Sequence, residues 1–494
     1  MLFTDPVFLF GFLPATLVLF YLCRQFLGGH AAIWLLVLAS AAFYGYWSVK
    51  YLGLLLGQIL ANYCLARRLN RTHGRALLWA AITFNLALIG YFKYRNFFLE
   101  NVEFLTGWKF HLTALFVPLG ISFHTFQQIT FLTDVADGEE EVPKLSRFIL
   151  FVTFFPQLIA GPIVLHREMG RQLTLLADNK WLTAPSMGPG FVLFCFGLFK
   201  KVCLADTLAK YVDILFSWPQ SLQFLEGWLG AIGYALQLFF DFSGYSDMAV
   251  GLGLMFGLVL PFNFNIPFAA TSMTEYWKRW HITMTRFFTM YCYTPVSLAA
   301  HRIAAERDIR GMSAFILCIG FPTIVAFLAS GLWHGAGWTY IVFGLVNGIG
   351  LMINHAWREA KMPRLPSAIS WAMTAIVILI SLVYFRSESL AQANYLLKTM
   401  FMPARIDLPL WADGLAAKLH MHASYFEVFQ AANFSLRYFG ILVLLTPLSV
   451  LLPNLALAPL KTQPTLRNAF YVAAIAWLTL GWLGEPRTFL YFQF

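Results

Sequence analysis

The sequence predicts an all-α, polytopic integral membrane protein of roughly 11–14 transmembrane or re-entrant helices. Three observations carry this expectation. Of the 494 residues, 59% are hydrophobic and 12% charged, whereas a soluble domain is about 25% charged. Apolar stretches of about 20 residues, the length that crosses a roughly 30 Å hydrocarbon core, recur from one end of the chain to the other. The basic residues behind a formal charge of +10 sit in short clusters between those stretches. That is the pattern of the positive-inside rule, so the charge orients helices and does not argue for nucleic acid.

The spans expected first are Phe8–Leu22, Ile33–Tyr46, Tyr51–Leu65, Ala76–Tyr91 and Leu112–Leu132. Met1–Leu22 has no basic residue before its apolar run and no small-residue cleavage pattern after it. It is therefore read as a retained span and not as a removable signal peptide. Arg67, Arg68, Arg71, His73 and Arg75 form the densest basic loop, expected in the cytoplasm. With Trp47–Lys50 as a hairpin, the amino terminus then lies outside. Further spans are expected at Phe148–Leu165, Gly188–Leu204, Leu225–Phe239, Met248–Leu260, Gly311–Ser330, Trp338–Ala356, Ile369–Tyr384, Tyr438–Leu452 and Ala469–Trp482.

Two stretches are too polar for lipid, Asp137–Ser146 and Thr271–Arg310. No internal repeat, low-complexity tract or linker divides the chain, so residues 1–494 are expected to form a single membrane-embedded domain. The six cysteines have no CxxC pair and no metal-ligand spacing; they read as small core residues, and no metal site is expected.

From Gly311 to Trp357 there is no Asp, Glu, Lys or Arg, yet His334 sits within that run, in Ser-Gly-Leu-Trp-His-Gly-Ala-Gly-Trp from Ser330 to Trp338. A polar side chain at membrane depth is costly to place and marks a functional site by default. Its flanking glycines allow another backbone or a substrate to approach closely. A neutral histidine that bridges broken helices is the equally weighted alternative. A second constellation is Thr274–Thr285, Thr-Glu-Tyr-Trp-Lys-Arg-Trp-His-Ile-Thr-Met-Thr. Read as one helix, it stacks Trp277 and His281 at i and i+4 with Trp280 beside them; alone it looks more like an interfacial helix than a catalytic segment, and His281 gains weight only in company with His334.

Asp241 and Asp247 lie amid apolar sequence, in Phe-Phe-Asp-Phe-Ser-Gly-Tyr-Ser-Asp, with Pro-Phe-Asn-Phe-Asn following at Pro261–Asn265. Buried carboxylates need partners, here expected to be Arg279, Lys278 or a histidine, in a structural or positioning role. Lys200 and Lys201 read as a cytoplasmic helix end.

Together these stretches resemble the membrane-bound O-acyltransferase family, in its bacterial branch that includes the alginate O-acetyltransferase membrane subunit. The motifs run in order through Gly120-Ile-Ser-Phe-His-Thr-Phe-Gln, Phe155-Pro-Gln-Leu-Ile-Ala-Gly-Pro, Gly197-Leu-Phe-Lys-Lys, Asp241-Phe-Ser-Gly-Tyr-Ser-Asp, Trp333-His-Gly-Ala and Tyr491-Phe-Gln-Phe. The resemblance implies helices around a central tunnel, with the essential histidine at His334 and the second polar catalytic position at His281. One departure stands out. Where relatives commonly read Tyr-Ile-Pro-Leu-Gly-Gly, this chain has Tyr293-Thr-Pro-Val-Ser-Leu.

The implied function is O-acetylation of an exported polysaccharide such as alginate, from within the bacterial inner membrane. The donor would be a cytosolic thioester, acetyl-CoA or similar, with no tightly bound cofactor. Periplasmic acetyltransferase or acyl-carrier proteins would be partners, the polysaccharide the final acceptor, and membrane lipid the surroundings. His334 would be the general base, and His281, or a donor it orients, would stabilise the oxyanion. Trp333, Trp277, Trp280, Arg279, Asp241, Ser243, Tyr245 and Asp247 are the candidates for binding or positioning substrate. The alternatives are a D-alanyl or other acyl transferase acting on teichoic acid or lipid, and a polysaccharide or ion-coupled transporter with His334, Asp241 and Asp247 as a proton relay. The lack of repeats favours the enzyme.

Overall fold

The computed structural model describes residues 1–113, 115–181, 185–217, 220, 222–402, 407–409, 413–419, 421–424, 435–451, 465–484 and 490. The Tyr491-Phe-Gln-Phe motif and Leu452 lie outside the described residues. The chain forms two compact units. The first draws on residues 1–199, 244–262 and 455–493, and the second on 200–243 and 263–454.

Helices dominate both. In order they are α1 Leu13–Phe26, α2 Gly29–Gly45, α3 Val49–Thr72, α4 Arg75–Ile89, α5 Arg95–Thr106, α6 Ile121–Ala136, α7 Leu145–Thr153, α8 Phe155–Leu158, α9 His166–Ala177, α10 Met187–Phe199, α11 Asp206–Ser217 and α12 Phe224–Met255. After these come α13 Met273–Arg279, α14 Ile282–Phe288, α15 Thr294–Glu306, α16 Gly311–Phe315, α17 Phe321–His334, α18 Trp338–Glu359, α19 Ser367–Arg386, α20 Leu390–Phe401, α21 Asp413–Lys418, α22 Ser435–Leu451 and α23 Leu466–Gly481. Asp407–Pro409 and His422–Ser424 pair as a short parallel ladder.

Among the described residues six helical runs are long and apolar enough to cross a membrane: Val7–Phe26, Val49–Thr72, Arg75–Thr106, Gly311–His334, Trp338–Glu359 and Ser367–Arg386. Large apolar side chains such as Phe10, Leu38, Trp79, Val443 and Trp477 face outward. Lipid accepts such a surface and water does not. The protein is thus the polytopic all-α membrane protein that composition and hydropathy predict.

The first unit shows why some expected spans differ. Trp47–Lys50 is a real break: Ser48 leaves the helical region and its side chain accepts from Tyr51 N to start α3. The basic cluster 67–75 forms the turn between α3 and α4, where His73 closes α3 in the left-handed region. Arg75 pairs with Asp137 at 2.8 Å, and His166 with Glu140 at 2.7 Å, so the acidic stretch after α6 is bound by basic groups. Inside, Gln58, Asn62, Asn85, Thr125 and Gln128 are buried in one side-chain network joining α3, α4 and α6. Such bonds hold apolar helices together where lipid provides no hydrophobic contrast.

Phe148–Leu165 is not a span. The helix stops at Phe154, whose ψ of 109° leaves the helical region just before Pro156, and only the single turn of α8 follows. Every residue from Phe148 to His166 is buried, so the apolarity of the run serves the protein interior. The expected span Leu112–Leu132 is likewise helical only from Ile121.

Leu225–Phe239 and the 248–255 part of the expected span Met248–Leu260 lie in one continuous helix, α12, and residues 256–260 are not helical. Its Gly244–Met255 part packs on α10 through glycines. A Cβ on Gly197 would lie 2.5 Å from Gly244 O, and one on Gly251 would lie 2.5 Å from Gly190 O. Replacing Gly197 with leucine is therefore expected to destabilise the protein by at least about 1–3 kcal/mol through overpacking. Gly188→Leu, on the same helix with open space around it, should leave the thermal midpoint in detergent near wild type.

Candidate active site

The second unit builds its site from two interrupted helices. A helical run from Gly311 ends at His334, and Gly335 is extended with φ of −165°. The chain returns as α18 after a tight turn. The two helices cross at glycines: a Cβ on Gly331 would lie 2.3 Å from Tyr340 O, and one on Gly344 would lie 2.3 Å from Phe327 O. The glycines before and after His334 thus admit the backbone of α18 at Gly331 and the Tyr340 ring at Gly335. His334 ends a helix beside a turn, yet it is only 6% exposed. Trp333, Phe343 and Phe385 meet its ring edge to face, at centroid distances of 4.8, 5.5 and 5.0 Å.

His281 sits at the break between α13 and α14, which corrects the single-helix reading of Thr274–Thr285. Helix α13 ends at Arg279, Trp280 is extended, and His281 adopts φ 42° and ψ 55°. Trp277 and His281 therefore do not stack at i and i+4. The left-handed conformation costs a non-glycine residue on the order of 1–3 kcal/mol and persists only where its surroundings impose it. Asn263 imposes it. Its backbone carbonyl accepts from Ile282 N at 2.9 Å, and Asn265 N donates to Arg279 O at 2.9 Å. The Asn263 side-chain oxygen accepts from Thr283 Oγ1 at 2.6 Å and from Thr283 N at 3.3 Å, and lies 3.3 Å from His281 Nδ1. The Pro-Phe-Asn-Phe-Asn motif is an extended clamp on this bend.

The His281 ring is fully buried, edge to face with Phe242 at 4.7 Å. Burial alone pushes its pKa down to about 3, so it is neutral at physiological pH. On another side it meets Trp333, with centroids 5.9 Å apart. Trp333 therefore contacts both histidines, and the structure brings together the two residues that the sequence picked out separately.

The other candidates fall as follows. Trp280 lies among Phe264, Phe268 and Tyr276. Trp277 packs on Phe327 and lines a cavity of about 220 Å³ with Ser330, Phe288 and His355. Its buried indole nitrogen has no hydrogen-bond partner among the described residues. Arg279 is held by Glu275 at 2.6 Å, an i,i+4 pair on α13. Ser243 is buried, its hydroxyl without a partner among the described residues. Tyr245 and Asp247 belong to the first unit, where Tyr245 stacks on Phe3 at 4.8 Å and Asp247 is 5% exposed.

Asp241 has a different partner from the ones expected. Lys201 Nζ donates to Asp241 Oδ1 at 2.6 Å and to Asp206 Oδ1 at 2.7 Å, with Lys201 only 1% exposed. Lys201 is thus no helix end. It lies in a π-helical stretch, Lys200–Ala205, between α10 and α11. Sequence reasoning missed Lys201 and Asn263; the one signal for either was that both lie in motifs already noted. In the segment lacking the relatives' glycines, Pro295 opens α15 in its first turn, and Ser297 Oγ donates to Cys318 O at 2.8 Å.

The described residues thus form a predominantly helical, multi-pass membrane protein in which two buried histidines contact one indole. Residues 77–386 match the family described as MBOAT, membrane-bound O-acyltransferase family, and the chain belongs to that family. It is 38% identical over 436 residues to a peptidoglycan O-acetyltransferase of Helicobacter pylori, covering 81% of this chain and 80% of the relative. It is 37% identical over 411 residues to a probable alginate O-acetylase of Pseudomonas aeruginosa, covering 81% and 75%. To a teichoic acid D-alanyltransferase of Streptococcus thermophilus it is 28% identical over 254 residues, covering 49% and 58%. The protein is a membrane O-acyltransferase.

Proposed function

We propose that this enzyme moves an acetyl group from a cytosolic thioester, acetyl-CoA or a similar donor, across the bacterial inner membrane for O-acetylation of an exported polysaccharide such as alginate. Separate periplasmic acetyltransferase or acyl-carrier proteins complete delivery. The observation that carries the reading is the His281–Trp333–His334 cluster, buried among aromatic rings. O-acetylases with higher identity and fuller coverage than the D-alanyltransferase favour acetyl over D-alanyl transfer.

In this reading His334 takes the proton from the acceptor hydroxyl as its oxygen attacks the thioester carbonyl carbon. The C–O ester bond forms, the C–S bond breaks, and the departing thiolate recovers the proton from the imidazolium as a thiol. A neutral imidazole is suited to this because its ordinary pKa of about 6.5 lies near operating pH. His334 also lies in the last turn of its helix, where the dipole stabilises a cation by roughly 0.3–1 kcal/mol. The aromatic walls keep water from competing for the charge that develops.

The test is the O-acetyl content of the exported polymer in cells carrying His334→Ala, with membrane levels of the variant matched to wild type. Loss of acetyl groups with export intact is the expected result. Unchanged acetylation would remove His334 from the chemistry, and loss of export itself would favour the transporter.

A further inference from the structure

We infer that Asn263 is a positioning residue of the acyl-transfer centre, its carboxamide oxygen holding His281 as the Nδ1–H tautomer so that the basic lone pair resides on Nε2. This rests on the reading of His281 as part of that centre. The argument begins with a backbone amide. Thr283 N can only donate, and it lies 3.3 Å from the Asn263 side-chain atom that also meets Thr283 Oγ1 at 2.6 Å. That atom must be the oxygen, because a flipped amide would set its NH2 against an N–H. The same oxygen faces His281 Nδ1 at 3.3 Å. A hydrogen bond there requires Nδ1 to carry the proton, and a neutral imidazole carries only one.

Burial keeps the ring neutral. Groups packed on it include Phe242, Trp333, Asn263 and Thr283, and the titratable His334 is reached through Trp333. Asn263 is 1% exposed, so bulk water does not compete for its oxygen. The consequence is chemical. Nε2 accepts a hydrogen bond and does not donate one, so His281 does not itself donate to an oxyanion. It acts by receiving a hydrogen bond from an O–H or N–H group and fixing that group's direction. Of the two roles expected for His281, direct donor or orienter of a donor, the geometry points to the second.

Solid-state 15N spectra of the full-length protein in liposomes, labelled at histidine nitrogens, read the tautomer directly, with His281→Gln identifying its signals by difference. At pH 7 the expected spectrum shows a protonated Nδ1 and an unprotonated Nε2. An Nε2–H tautomer or an imidazolium would overturn the proposal. In Asn263→Ala the tautomers should mix, and transfer from acetyl-CoA to polymer in membrane vesicles should fall about 10- to 100-fold in kcat with KM little changed, as for other second partners of functional histidines. Asn263→Asp keeps the acceptor oxygen and adds a charge that stabilises the imidazolium. Its activity should recover at alkaline pH, with the acid limb of the profile moved up. A wild-type tautomer and rate in Asn263→Ala would also overturn the proposal. If that variant fails to reach the membrane, the wild-type spectrum decides. If the spectrum is as expected but the wild type transfers no acetyl group, the functional reading fails and the tautomer stands.

Discussion

His334→Ala is expected to lower acetyl transfer by about 10²- to 10⁴-fold, the span for loss of a general base, with the protein still folded. The cavity left by the ring is walled by Phe343 and Phe385, which pack on each other at 4.9 Å, so the neighbouring aromatic cluster persists. His334→Gln is the sharper variant. It keeps volume and hydrogen-bonding capacity but cannot take a proton, so activity should stay low although shape is retained. Transfer rates in membrane vesicles, normalised to protein detected in the same vesicles, check both. Substantial recovery in the glutamine variant would mean that His334 positions substrate and is not a base.

Lys201→Ala is the second large effect. It removes the cation shared by Asp241 and Asp206 inside the second unit and takes that ammonium from the buried Asp241 carboxylate. Breaking a buried pair in this way destabilises by about 3–5 kcal/mol. Phe242, the next residue after Asp241, carries the ring against His281, so activity should fall beyond what the lower protein level explains. Replacing both partners, Lys201→Met with Asp241→Leu, should recover much of the thermal stability because no uncompensated charge remains at Asp241. Thermal midpoints of the single and double variants in detergent check this. A single variant as stable as wild type would show that the ion pair is not what holds this part of α12.

The two histidines could be found in the sequence because each is a polar residue set in an apolar or aromatic stretch. Their meeting at Trp333 could not, since 52 residues of chain lie between His281 and His334 and only the fold closes them. The bend at His281 was hidden for the same reason. Local spacing favours a helix through Thr274–Thr285, and the clamp that breaks it comes from Asn263, 18 residues earlier. Hydropathy divided α12 in two because Asp241, Ser243 and Asp247 look like a break in a span; the Lys201 ammonium, 40 residues away, lets Asp241 remain in a helix. Apolarity alone likewise cannot distinguish lipid from protein interior, which is why Phe148–Leu165 reads as a span although Pro156 interrupts it inside the first unit. The first four expected spans match the helices well, because chain reversals with strong local signals separate them.

The most direct test of the account uses inverted membrane vesicles from polymer-producing cells, supplied with acetyl-CoA labelled in its acetyl group, and measures label recovered as base-labile ester on carbohydrate. Wild-type vesicles should form that ester, and vesicles with equal amounts of His334→Ala or His281→Ala should form little or none. Ester formation at the wild-type rate by either variant, or its absence from wild-type vesicles, would contradict a two-histidine centre that transfers acetyl groups to a polysaccharide.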